Sequence, residues 1–172
     1  MKKYELEKNI GRGRIYRVDH ETTKRGPQPR MLDETPAELL AHLSHPNGWW
    51  RSEAQKLIVL HGDRSVVPAL QTLATTSENA LARLHAMWTL EGLDAVTPAL
   101  LIRGMADADW RVRSAAVRIA EPMMATDRSL DAAIELLVHD ENPDVLIQTM
   151  LSLGRGHHPK SEALNEQIVS NH

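Results

Sequence analysis

The side chains most able to do chemistry in this chain are nine histidines, four tryptophans and a recurring arginine. A metal would need several imidazoles or carboxylates brought together. His42 and His45 are three apart at the end of a predicted helix, and His157 and His158 are adjacent, but neither pair has acids at a spacing that completes a site. His85 lies inside an apolar stretch and reads as a hydrogen-bonded core histidine. Asp109, Trp110 and Arg111 in "DADWRVR" carry the aromatic, acidic and basic groups that a nucleobase-reading surface uses, yet the same string is an ordinary helix start. There is no Gly-x-Ser-x-Gly elbow, phosphate loop or dinucleotide fingerprint. The absence of cysteine removes thiolate zinc sites, iron–sulfur clusters, haem attachment through paired thiols and cysteine nucleophiles. No catalytic residue, cofactor or metal ligand is therefore expected.

The arginines and tryptophans suggest binding instead. Arg51, Arg83 and Arg113 recur 32 and 30 residues apart, with Leu146 at the fourth position. Such a row bonds to acids of the next repeat or to loop carbonyls, or else meets an anionic ligand. Asp63, Asp94, Asp107, Asp109 and Asp127 are the available acids. Adjacent Trp49 and Trp50 follow a capping Asn47, and consecutive helical residues point about 100° apart. Trp50 can then join the core while Trp49 covers the connector or anchors a partner. Trp49, Arg51, Arg83 and Arg111 are the candidate partner-binding residues.

These side chains must be placed by a repeated pair of helices. Pro36, Pro68 and Pro98 each precede Ala and sit where a helix start tolerates the missing amide. Thr35 and Glu38 add a capping box. A second helix set is carried by "WWRSEAQKLI", "LARLHAMWTL", "WRVRSAAVRIA" and "DVLIQTMLSL", which align Ala54, Ala86, Ala116 and Thr149 at one small site. Two helices per unit of roughly 30 residues predict a helical solenoid. The first-set stripe is Val66, Ala69, Leu70, Leu73 and Ala74 in one unit and Leu130, Ala133, Ile134, Leu137 and Val138 in another. Before the array, "YELEKNIGRGRIYRVD" alternates apolar and charged residues and predicts a short strand pair, followed by a polar connector. After it, a weak helix over 161–169 is expected to cap the last unit.

At 172 residues the chain is long enough for a core without staples. The net charge of −3 hides an asymmetry. Residues 1–30 hold nine Lys/Arg against four Asp/Glu, whereas the remainder holds eleven against nineteen. An acidic body argues against a nucleic-acid surface on the main domain. No apolar run approaches the ~18 residues of a membrane span, and the N-terminus has no export signal.

The combination "GRIYRV", "TPAELLAHLSHPNGWWRSEAQKLI", "NALARLHAMWTLEGL" and "DADWRVRSAAVRIAE" resembles the HEAT-repeat segment of large membrane-bound dehydrogenases. In that family a quinoprotein-type β-propeller precedes the repeats and a c-type cytochrome domain commonly follows. The resemblance covers about residues 11 to 155. It implies a spacer or docking module and an exported or periplasmic setting, because the propeller and the Cys-x-x-Cys-His haem motif are absent here. Metal-dependent hydroxylases built from the same repeats use His-Glu pairs on successive helices, and this chain has only His20-Glu21, in the connector.

The expected fold is all-α, a right-handed α-α superhelix of about four helical pairs with a short N-terminal β-arm. The expected divisions are 1–34 (arm and connector), 35–155 (repeats) and 156–172 (cap or tail). The expected function is a non-catalytic scaffold binding a protein partner or a flanking domain, with dimerisation through the arm as a further route. The alternatives are a concave-face enzyme or binder of a small molecule or nucleobase, and a fragment of an exported redox dehydrogenase.

Overall fold

A computed structural model describes residues 20–22 and 26–171, so the expected β-arm lies outside the described residues. Among those residues every regular element is helical. The first unit pairs α1 (Pro36–Leu39), continued by a 3-10 turn over Leu40–Ser44, with α2 (Gly48–His61). The second pairs α3 (Val67–Thr76) with α4 (Ala80–Gly92), and the third α5 (Pro98–Met105) with α6 (Trp110–Ala120). The fourth pairs α7 (Asp131–Leu137) with α8 (Pro143–Arg155), and α9 (Ser161–Asn171) packs against α8.

The starts follow from local chemistry. Thr35 accepts from the Glu38 amide while Glu38 accepts from the Thr35 amide, the capping box expected there. Pro36, Pro68 and Pro98 occupy the first turns of their helices. Gly62 ends α2 in the left-handed region at φ 65°, and its amide reaches back to Ile58 and Val59.

α2, α4, α6 and α8 form one layer and the shorter first helices the other. Ala54, Ala86, Ala116 and Thr149 are completely buried, so the small site lies at the seams of the second-helix layer. Closer approach there than between α3, α5 and α7 is what small side chains permit. Gly104 marks a similar crossing. A Cβ at that position would come within 2.8 Å of the Met87 methyl and 2.9 Å of the Ala116 Cβ.

Four details differ from expectation. α1 is a single α-turn tightening into 3-10 rather than a full helix. The connector is not wholly polar, since Met31 in the 3-10 turn Met31–Asp33 is 4% exposed and belongs to the core. Ala69 is exposed, so the second unit's buried stripe reduces to Val66, Leu70 and Ala74. The terminal helix is firmer than expected: Leu164 and Ile168 bury against α8 and close the stack.

Candidate functional site

Each second helix begins with the same hydrogen-bonded module. Asn47, Asn79, Asp109 and Asn142 cap α2, α4, α6 and α8, each accepting from the amide two residues on. Two residues before each cap, another side chain accepts from the cap's own amide: His45 Nδ1, Ser77 Oγ, Asp107 Oδ1 and Asp140 Oδ1. Four residues after the first three caps stands the recurring arginine, with Leu146 in its place in α8. Its Nη1 donates to the carbonyls of the loop, His45 and Pro46 for Arg51, Ser77 and Glu78 for Arg83, Asp107 and Ala108 for Arg113.

The other edge of the guanidinium crosses to the next unit. Arg83 donates from Nε to Asp107 Oδ2 at 2.7 Å and from Nη2 to Asp107 Oδ1 at 2.6 Å. Arg113 repeats this on Asp140 at 2.6 and 2.8 Å. Bidentate pairing of this kind is the strong, oriented form of the ion pair. Both pairs are mostly shielded, with side-chain exposures of 13% and 12% for Arg83 and Asp107. Hydrogen bonding to Asp107 holds the Arg83 pKa above its ordinary value, and Asp140 does the same for Arg113. Burial pulls Asp140 upward, but the Arg113 and Asn142 hydrogen bonds outweigh it and keep the carboxyl below the usual range. Arg83 and Arg113 are therefore clips between units.

Arg111 is different. It is 45% exposed at the side chain, folds back on its own cap residue Asp109 through Nε and Nη2, and lies 5.9 Å from the Trp110 ring. Those hydrogen bonds keep the Asp109 carboxyl low, so both charges of this pair are already compensated.

Trp50 packs against the core, with its ring stacked on His45 at 4.8 Å and tilted to His42 at 5.0 Å. His42 Nε2 in turn meets Glu34 Oε2 at 2.7 Å, and His45 Nδ1 accepts from the amide of the cap residue Asn47, so both rings of the His42–His45 pair serve local structure. Trp49 meets Trp50 edge-on and stays 51% exposed. It lines a groove of about 550 Å3 between α2 and the segment Pro29–Asp33. Leu32 at 83% exposure and Leu60 at 71% complete the apolar walls. The charges of the rim pair among themselves, Lys56 with Glu53 and Arg30 with Asp33.

The four candidates are thus not one site. Trp49 opens onto the end of the array, Arg51 and Arg83 turn into the seams, and Arg111 is closed on Asp109. Of the proposed acids, Asp107 clips Arg83, whereas Asp63 and Asp127 cap the turns before α3 and α7 through Ser65 and Ser129. Asp140, which clips Arg113, is not among those acids; it shares its place two residues before a cap with Asp107 alone, too few units for the pattern to stand out. Leu32 and Leu60 were missed because their segments carry no apolar period that distinguishes a wall from a solvated position.

A family model for HEAT repeats matches residues 36–118. No curated protein and no solved structure matches the chain. Residues 36–118 are similar to HEAT repeats, and the cap with the acid two residues before it recurs past them at Asn142 and Asp140.

Proposed function

We propose that the chain is a non-catalytic docking module, whose repeats hold the Trp49 groove rigid for an apolar side chain of a protein partner or of a flanking domain. Half-exposed Trp49 between Leu32 and Leu60 is the observation that carries this reading. Isolated exposed apolar residues mean little, but three around one concavity make a binding surface. Because the rim charges compensate each other, the groove favours an apolar anchor over a charged one. The resemblance to dehydrogenase repeat segments makes a redox enzyme's neighbouring domain one occupant of this kind.

The test compares wild type with Trp49→Ala. Partners are recovered from native extract with wild-type bait, identified, purified and titrated against both proteins. Loss of a central tryptophan anchor is expected to weaken binding at least tenfold, about 1.4 kcal/mol, while the melting temperature stays close to that of wild type. Equal affinities in two folded proteins would refute the docking site.

A further inference from the structure

The clips between units are incomplete at one seam. Arg83 and Arg113 both present an Nε–Nη2 edge to an Asp of the following unit. Arg51 is anchored in the same way through Nη1 on the His45 and Pro46 carbonyls. At the position equivalent to Asp107 and Asp140, however, the second unit supplies Ser77. Its hydroxyl accepts from the Asn79 amide, as Asp107 Oδ1 and Asp140 Oδ1 accept from theirs, but it is too short to provide the two oxygens that an arginine edge takes. The Arg51 Nε is accordingly buried with no hydrogen-bond partner, and Nη2 makes no hydrogen bond among the described residues.

From this geometry we infer that the Arg51 Nε–Nη2 edge, which lacks the acid that its counterparts hold, is a binding slot for one carboxylate. An unpaired buried guanidinium donor is costly, and a carboxylate is the group for which the same edge is built in the next two units. His85 sits nearby on α4, its Nδ1 2.7 Å from Gln55 Oε1, and burial together with the Arg51 charge pushes its pKa down, so it is neutral at pH 7. Arg51 as a whole stays partly exposed while its Nε is covered, so a carboxylate reaches that edge only by displacing what covers it. Arg51 is not among the residues that line the Trp49 groove, and the inference does not rest on the docking role of that groove. The ligand is a carboxylate of formate or acetate size, arriving as a free anion or as an Asp or Glu side chain.

The experiment follows the Arg51 Nε–H resonance of the 15N-labelled full chain during titration with sodium acetate, sodium chloride at matched ionic strength, and a capped Gly-Asp-Gly peptide. Acetate is expected to give a saturable shift that chloride does not, and to raise the melting temperature by about 3–5 °C at ten times its dissociation constant. A peptide binding at least tenfold tighter than acetate would identify a protein side chain as the source, whereas equal or weaker binding would identify a free anion. Ser77→Asp should fill the slot from within, move the Arg51 resonance toward those of Arg83 and Arg113, and abolish the acetate response. Arg51→Gln, which removes the edge, should abolish it as well. An acetate response no larger than that to chloride would mean that water fills the slot, and would overturn the inference. So would a response that persists in Ser77→Asp or in Arg51→Gln.

Discussion

Asp140 does two jobs with one carboxylate, capping the start of α8 through the Asn142 amide and clipping the third unit through Arg113. Its native pKa is lowered, so its contribution is complete above the unfolded Asp value near 3.9 and is lost as pH falls through the native value. Asp140→Asn should therefore lower stability at pH 6, with the deficit shrinking toward zero as both proteins are taken well below pH 4. Urea denaturation across that range measures it. A deficit independent of pH would mean that the Asn side chain is misplaced, not that a charge is missing. The identity of this residue was legible in principle: an acid two places before a cap recurs at Asp107 and Asp140, while His45 and Ser77 fill the place in the first two units. Two of four units do not make the rule visible in the sequence, whereas arginine in three of four does.

At the scale of elements, the second helices were legible because the arginines and small residues recur at one period, and the prolines mark the starts of α1, α3 and α5. The shape of α1 was not legible. "TPAELLAHLS" has good helix formers throughout, and its tightening to 3-10 after Leu39 occurs where the chain must also place Leu43 in the core and His42 on Glu34. Helix contacts supply the sharpest test of the packing. Gly104→Ala adds a methyl that meets the Met87 side chain, which can yield, and the Ala116 Cβ, which is fixed to the α6 backbone. Overpacking of this kind costs about 1–3 kcal/mol, so the melting temperature should fall by several degrees. An unchanged or higher value would show that α5 can slide outward on α4 and α6 without loss.

Across the whole molecule, the residues proposed for docking are not those that hold the repeats together. Repeat arrays are held by contacts between neighbours, and here the Arg83–Asp107 and Arg113–Asp140 clips join the buried small-residue seams as those contacts. α9 closes the far end by burying Leu164 and Ile168, whereas the near end keeps Leu32, Trp49 and Leu60 exposed. The arginine row could be read from the sequence as clip or as ligand site with equal chemistry, because residue type and spacing do not say which way a guanidinium turns. Exposure of the Trp49 walls depends on how Pro29–Asp33 lies against α2, which no local pattern dictates. The direct test of this division is hydrogen–deuterium exchange of the full chain with and without its purified partner. Protection is expected at 29–33 and 49–60, with the loops at 77–79, 107–109 and 140–142 unchanged. Protection confined to those loops, with the Trp49 groove exchanging as in the free chain, would contradict it.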